Sequence, residues 1–371
     1  MNKNKISVSL QKRVSVLNKD VNYDIFLTCF NYNKTKHLLD DYGFTYTPYR
    51  FANCFGLSAD SEDLNLLSNQ NEVKFIYENA RVQAERTEQD FMHLTNLTQN
   101  KFLGQGTTIC FIDTGIHPHV DFLFPKNRII KFIDLVNLNN TPYDDNGHGT
   151  FVAGIATGND ILNCGAVGFA PEANIIMIKA LDSNGSSNSN KILDAMQWVY
   201  ENHKAYNIRI ACMSFGAEAT DKGDPLTLGA ETLWKCGITL VVAAGNSGPE
   251  GETIKSPGNC PYVITVGALD VTKLQVAPFS SRGPTTYGHK PDLLAPAVNI
   301  VSCNNNLPLT ASMSGTSVAA PIVAGICACI LSRYPNATNY QIKQFLLNNC
   351  TKLTNNPDIE GAGYLNFANL Y

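Results

Sequence analysis

Apolar residues are spaced in two different ways along this chain of 371 residues, and the change falls near Gly106. Before Gly106, short segments follow strand or helix spacing and are broken by polar residues. After it, near-continuous apolar runs alternate with helical segments, namely "TTICFID", "ANIIMIKAL", "IRIACMSF", "GITLVVAAG" and "YVITVGAL". Apolar strands that alternate with helices predict a mainly parallel sheet covered on both faces, in an α/β domain of three layers.

The part before Gly106 predicts a small α+β domain. Its elements are a strand, a helix, two strands, a helix and a strand, at residues 23–30, 33–43, 44–51, 54–60, 61–69 and 72–80. We expect Ser61 to be the N-cap of the second helix. The order β-α-β-β-α-β within about 65 residues is typical of a ferredoxin-like module.

The chain is therefore predicted to divide into four parts. A prior of roughly 150 residues per domain suggests two or three folded units for this length. The parts are a polar N-terminal extension, the small domain, a charged linker and the large α/β domain, at residues 1–20, 21–80, 81–100 and 101–371.

Composition excludes two classes of partner. The net charge is −4 and no cluster of Lys or Arg stands out, which argues against nucleic acid and against a polybasic membrane surface. The longest apolar run, Val318 to Leu331, contains a Pro and is shorter than the ~20 residues that span a bilayer. It predicts a buried helix, so we expect neither a nucleic-acid nor a membrane partner.

The eleven cysteines are scattered singly, without CxxC pairs. An odd count without metal-ligand spacing favours reduced thiols. The first twenty residues lack the apolar core of a secretory signal. We therefore expect a cytoplasmic protein, or a secreted one if the sequence is a trimmed precursor.

Three residues that could form a nucleophilic site follow predicted strands or open predicted helices. Asp113 follows "TTICFI", His148 opens a helix in "NGHGT", and Ser317 opens the apolar helix in "SGTSVAAP". A serine hydroxyl needs an imidazole to take its proton, and the imidazole needs a carboxylate to fix its tautomer. Taken singly, each residue has a structural alternative, such as a cap, a loop residue or a turn.

Asn246 ends the apolar run "GITLVVAAG" and could donate its side-chain amide to a developing oxyanion. The helix start at Ser317 directs backbone N–H groups toward the same charge. The joint placement of these four residues at one expected sheet edge favours the chemical interpretation, because ligands bind beyond the carboxyl ends of parallel strands.

The motifs "DTGI", "NGHGT", "AAGN" and "SGTSVAAP", in the order Asp, His, Asn, Ser, resemble the subtilisin-type serine proteases from Gly106 to about Tyr371. The resemblance implies a subtilisin-like fold, an Asp113–His148–Ser317 triad and an oxyanion hole at Asn246. It implies no cofactor for the chemistry. The first domain resembles the family's propeptide, a folding helper and intramolecular inhibitor.

The resemblance also implies where a protein or peptide substrate would bind, as an added β-strand. The implied substrate-binding residues are Ser214, Phe215, Gly216, Gly185, Ser186, Ile192, Ala244 and Gly245. The first pocket would be walled by 214–216, 243–245 and 256–258, and Phe215 and Ile192 would line an apolar pocket further along. No charge occurs at these positions, so we expect tolerance for apolar or uncharged side chains.

The resemblance also makes structural calcium a candidate. The family often binds structural Ca²⁺ through an Asp shortly after the triad Asp, which makes Asp121 and the loop 157–168 candidates. A solvated loop explains the same residues equally well.

The leading functional hypothesis is a serine endopeptidase made as a self-inhibited precursor that cleaves itself between about Asn79 and Glu88. The alternatives are a processing peptidase of narrow specificity, and a protease-fold binding or sensing protein locked by its N-terminal domain. Such pseudoenzymes usually lose a triad residue, and this sequence keeps all three.

Overall fold

The computed structural model describes residues 2–16, 21–84, 102–161, 167–219, 223–307 and 309–367. Its helices are α1 Val8–Val16, α2 Tyr32–Asp41, α3 Ser61–Ser68, α4 Val120–Leu123, α5 His148–Thr157, α6 Ser189–Asn202, α7 Pro225–Lys235, α8 Thr316–Arg333, α9 Asn339–Asn348 and α10 Pro357–Glu360, with 3-10 turns at Lys3–Lys5 and Arg50–Ala52.

The strands of the N-terminal domain are β1 Tyr23–Cys29, β2 Tyr46–Tyr49, β3 Cys54–Ala59, β4 Val73–Glu78 and β5 Arg81–Ala84. Those of the large domain are β6 Thr108–Asp113, β7 Ile129–Asp134, β8 Asn174–Lys179, β9 Ser186–Asn188, β10 Ile208–Met213, β11 Phe215–Ala217, β12 Thr239–Ala243, β13 Ile264–Asp270, β14 Gln275–Val276, β15 Leu293–Pro296, β16 Ile300–Cys303, β17 Thr310–Met313, β18 Cys350–Thr351 and β19 Tyr364–Leu365.

The N-terminal sheet has the strand order β2-β3-β1-β4 and is antiparallel throughout. Together with α2 and α3 it has the predicted β-α-β-β-α-β order, so the small α+β domain is confirmed. Ile25 and Leu27 of β1 belong to this domain's own core, whereas Phe26 between them joins the core of the large domain. The alternation shows that the large domain covers the second face of this sheet.

Two details differ from the sequence-based expectations. Asp60, not Ser61, is the N-cap of α3, because its carboxylate accepts the N–H groups of Glu62 and Asp63. Ser61 is the first residue of the helix, so the prediction was wrong by one position. The segment interpreted as a polar extension contains α1, and its Ile6 and Leu10 are buried in the N-terminal core.

The central sheet of the large domain runs β18-β19-β15-β13-β12-β10-β6-β8-β7, with β14 paired to β13. Every pair from β19 to β7 is parallel. The five strands predicted from apolar runs are β6, β8, β10, β12 and β13, which are consecutive neighbours in the order β13-β12-β10-β6-β8. This confirms the mainly parallel sheet.

Two helix pairs cover the central sheet. α8 packs against α5 and against β10, β12 and β13, while α6 and α7 contact each other and β6 or β12. By length and composition α8 could cross a membrane, but 83% of its most apolar window is buried inside the protein. It is the buried core helix that the sequence predicts, and it gives the domain its three layers.

Candidate active site

A buried Asp–His pair lies at the carboxyl end of β6. Asp113 is the last residue of that strand and His148 is the first residue of α5. The Nδ1–H of His148 donates to Oδ1 of Asp113 at 2.7 Å, and both side chains are about 1% exposed. This bond fixes the imidazole tautomer, so Nε2 carries the lone pair that can accept a proton. Among the described residues, Nε2 has no hydrogen-bond partner.

Asp144, which the sequence analysis did not single out, anchors the loop before His148. Its carboxylate accepts the N–H groups of Asn146, Gly147 and Thr150 and the hydroxyl groups of Thr114 and Thr150. Thr114 directly follows Asp113, and Gly147 directly precedes His148. The Asp144 carboxylate therefore connects the segment that carries Asp113 to the segment that carries His148. The signal in the sequence was the first of two consecutive aspartates, four residues before His148, and Asp is common in turns.

Ser317 is the second residue of α8 and is buried at the amino end of that helix. The helix begins after Gly315, which has a φ of 151° and, as a glycine, no side chain to cap the helix. Ser214, the residue between β10 and β11, donates its hydroxyl to the carbonyl of Ser317 at 3.0 Å. Ser317 therefore lies close to the first residue of β11, next to Ser214.

Asn246 is tied to the same helix start. Its Oδ1 accepts the backbone N–H of Thr316 at 2.9 Å and the Thr316 hydroxyl at 3.1 Å. Because Thr316 binds the side-chain oxygen of Asn246, the NH₂ of the same amide points away from Thr316. The geometry therefore gives Asn246 a fixed donor direction beside Ser317, as an oxyanion donor requires.

The chain's own strand β5 fills the groove predicted for substrate. It pairs antiparallel with β11 on one side, in the register Phe215↔Ala84, and with β9 on the other, in the register Ser187↔Val82. The three strands form one sheet in the order β11-β5-β9. The remainder of the predicted linker lies outside the described residues.

The predicted substrate-binding residues are distributed along this groove. Phe215 and Gly216 are in β11, Ser186 is in β9, and Gly185 makes the turn before β9 with a φ of 68°. Val82 is fully buried in the same apolar cluster as Phe215 and Ile192. Phe215 and Ile192, which are predicted to line an apolar pocket, therefore belong to the same core as the Val82 side chain of β5.

Ala244 and Gly245 follow β12 and continue along the side opposite β11. The Gly245 N–H donates to the Thr316 hydroxyl, and its φ of 110° is one that glycine adopts readily. A Cβ added to Gly245 would lie 2.5 Å from Cγ of Lys255, a residue that the sequence analysis overlooked. Lys255 directly precedes the third predicted wall of the first pocket, 256–258.

The donors around Asp121 do not fit a calcium site among the described residues. Its two carboxylate oxygens accept the backbone N–H groups of Asp160 and Ile161 at 3.0 and 3.1 Å. The nearest potential metal ligands are His119 and Cys303, whereas Ca²⁺ takes oxygen ligands.

The pKa of the Cys303 thiol is raised, first by burial and then by the Asp121 charge, and burial lowers the pKa of nearby Arg128 to about 10. Residues 162–166 of the candidate loop lie outside the described part of the chain.

The fold is that of the subtilisin-type serine proteases, and residues 104–364 match the model of the subtilase family, Peptidase_S8. The chain belongs to that family and is a serine endopeptidase.

Two curated relatives span most of the chain. It is 40% identical over 337 residues to the serine protease AprX of Bacillus subtilis, covering 82% of this chain and 76% of that protein. It is 34% identical over 306 residues to a thermostable alkaline protease of Halalkalibacterium halodurans, covering 81% and 78%.

A solved structure supports the fold independently. Fervidolysin from Fervidobacterium pennivorans, described as a keratinolytic enzyme related to subtilisin, superposes with a TM-score of 0.74 at 18% identity. The alignment covers 95% of this chain and 62% of fervidolysin, so the likeness includes the N-terminal part as well as the large domain.

Proposed function

We propose that Asp113, His148 and Ser317 act as the catalytic triad of this endopeptidase. The observation that carries the proposal is the buried 2.7 Å bond from His148 to Asp113, which orients Nε2 as a base. His148 would take the Ser317 proton as Oγ attacks the substrate carbonyl, then return it to the leaving amine. Water would hydrolyse the acyl-enzyme by the same route in reverse.

Asn246 and the backbone N–H of Ser317 would hold the oxyanion of the tetrahedral intermediate. The fixed orientation of the Asn246 amide supports this role, because a preorganised donor needs no rearrangement when charge develops. Removing the equivalent donor in subtilisin costs on the order of 10²–10³ in kcat, and we expect a similar loss for Asn246→Ala.

A serine-reactive fluorophosphonate probe and a fluorogenic peptide test these roles together. We expect the natural protein to label covalently and Ser317→Ala not to label. Asp113→Asn keeps the nucleophile but loses the tautomer control, so kcat should fall on the order of 10⁴-fold. A Ser317→Ala protein that still labelled or hydrolysed the peptide would refute the assignment.

We infer that the N-terminal domain is an intramolecular inhibitor that the enzyme removes by self-cleavage. β5 occupies both edges of the groove, so a second peptide cannot pair there at the same time. Asn79 and Ala80 add hydrogen bonds to Ser189 at the start of α6. Residues 79–84 therefore bind as a substrate strand would, which supports a cut after them, in the later part of the predicted cleavage window.

The direction of β5 narrows the expected position of the cut. As residue numbers rise from Val82 to Ala84, the partners on β11 fall from Ala217 to Phe215. The next partner is Ser214, which contacts Ser317. The first residue on the acyl side is thus expected at position 85, and the cut between positions 85 and 86, which lie outside the described residues.

Intact mass, followed over hours beside Ser317→Ala, tests both statements. We expect the natural chain to split near 85/86 and the mutant to stay whole. If the natural chain labels with the fluorophosphonate yet never splits, self-processing is wrong. If it neither labels nor splits, the binding or sensing alternative replaces the catalytic one.

We also propose that Asp121 stabilises its loop without calcium, because two backbone N–H groups already occupy its carboxylate. EGTA should then leave the Tm unchanged at neutral pH. A fall of several degrees on chelation, restored by added Ca²⁺, would refute this.

The described cysteines support the proposal of a reducing, cytoplasmic compartment. All ten are free thiols and most are buried. Burial raises the pKa of the Cys329 and Cys350 thiols to about 12, which suppresses the reactive thiolate.

A further inference from the structure

Lys255 crosses the space in which the first specificity pocket is expected. Its backbone N–H donates to the carbonyl of Ala244 at 3.0 Å, and its stem lies against Gly245. Its ammonium forms an ion pair with Glu218, the residue directly after β11. The side chain therefore runs from the 243–245 side of the pocket to the β11 side.

The two ends of this ion pair are in very different surroundings. The Lys255 side chain is 10% exposed, whereas the Glu218 side chain is 84% exposed. An exposed carboxylate is well solvated and adds little to such a pair. A substrate carboxylate that entered between the two walls would meet the ammonium in a drier place, where charge-assisted hydrogen bonds are stronger.

Asp224, an acid close to the pocket segment 256–258, already has hydrogen-bond donors of its own. Asp224 accepts hydrogen bonds from the Thr227 N–H, the Thr227 hydroxyl and the Ser256 hydroxyl. Three donors stabilise its charge, so Asp224 does not compete with a ligand for the Lys255 ammonium.

The position of the pocket follows from the groove register. A strand bound as β5 is bound places its next residue opposite Ser214, beside Ser317 and between β11 and Gly245. In the sequence the residue after Ala84 is Glu85, which lies outside the described residues. An acidic residue at this point of the chain agrees with a basic pocket.

We propose that Lys255 makes this protease prefer a glutamate or aspartate on the acyl side of the scissile bond. The proposal rests on the proposed triad and replaces the expectation of an apolar or uncharged side chain there. That expectation considered 214–216, 243–245 and 256–258 and missed the lysine next to them.

The test compares four fluorogenic peptides that differ only at this position, carrying Glu, Gln, Leu or Lys. Rates are divided by the number of fluorophosphonate-reactive sites, so that misfolded or still-inhibited protein does not count. We expect kcat/KM for Glu to exceed that for Gln by about tenfold or more. The ratio should shrink in 1 M NaCl, because salt screens a pocket that opens to solvent.

Variants separate charge from shape. Lys255→Met should reduce the Glu/Gln ratio to about one, and Lys255→Glu should favour the Lys peptide, a reversal that poor folding cannot mimic. Glu218→Gln removes the competing carboxylate and should raise the Glu/Gln ratio severalfold. Lys273→Met removes an exposed lysine elsewhere and should leave the ratio unchanged.

The outcomes are distinct. A natural enzyme that cleaves the Leu or Gln peptide at least as well as the Glu peptide, with a ratio insensitive to Lys255→Glu, overturns the proposal but not the protease assignment. A protein that neither labels nor cleaves any of the four peptides overturns both.

Discussion

The N-terminal sheet and the central sheet are both buried on both faces, but they obtain their cover differently. The central sheet is covered by α5, α8, α6 and α7, which the same domain supplies between or after its strands. The N-terminal sheet has its own core on one face, with Leu27 and Phe55, and turns Phe26 and Tyr77 to the core of the large domain.

This difference explains an apparent anomaly in the sequence. An antiparallel sheet with one solvated face alternates apolar and polar residues, whereas β1 reads as apolar almost throughout. The second apolar face is a docking face. A strand with apolar side chains on both faces therefore predicts that a second surface covers the sheet, and here the large domain of the same chain supplies that surface.

The largest expected effect comes from matched cavities in the two sheets. Phe111→Ala in β6 and Phe55→Ala in β3 each empty a fully buried site and should cost about 3–5 kcal/mol locally. In a Ser317→Ala background, Phe111→Ala should lower the thermal transition of the large domain, and Phe55→Ala only that of the N-terminal domain, in calorimetry. One shared transition lowered equally by both would show that the two sheets unfold as one unit.

A smaller effect is expected where the two regions meet. Val82→Asp places a charge in the apolar cluster that includes Phe215, and should weaken β5 docking on the order of 10²-fold. Hydrogen exchange of the Ser317→Ala protein should show lost protection in β5, β9 and β11. The exposed neighbour Gln83 is the control, and Gln83→Asp should keep the protection. Equal loss in both variants would contradict a side-chain-specific pocket.

The smallest effect concerns the cap of α3. Asp60→Ala removes a capping box and should destabilise the N-terminal domain by about 1 kcal/mol. Ser61→Ala, at the position first expected to be the cap, should change stability by only a few tenths. Urea denaturation of the two variants measures the difference, and a larger loss for Ser61→Ala would restore the sequence-based assignment.

The sequence was most informative where local pattern and topology agree. The five strands at the centre of the large domain are long apolar runs, and the rule that ligands bind beyond parallel strands placed Asp113, His148 and Asn246 at one edge. The role of Asp144 was not predictable, because an Asp shortly before a Gly is ordinary in a turn, and Asp145 beside it carries the same group. Four of its five donors lie in residues 146–150, and the fifth, the Thr114 hydroxyl, is brought to it only by the fold.

Lys255 shows a second kind of limit. It stands beside the predicted pocket segment 256–258, but only the fold shows that its N–H bonds Ala244 and that its stem lies against Gly245, at the proposed pocket. The burial of Ile6 and Leu10 was missed because two apolar residues in a polar stretch do not predict a buried segment. The bridge from Ile6 to Ile76 of β4 places this segment against the N-terminal core.

The position of β5 between two strand edges also determines which polypeptides can replace it. A replacement must be extended over at least four residues and must have its N–H and C=O groups free on both sides. Helices and paired strands of folded proteins have already used those groups, so they must first open locally. If self-cleavage releases β5, the rate at which a folded protein is cut should therefore follow how often the cut segment unfolds locally.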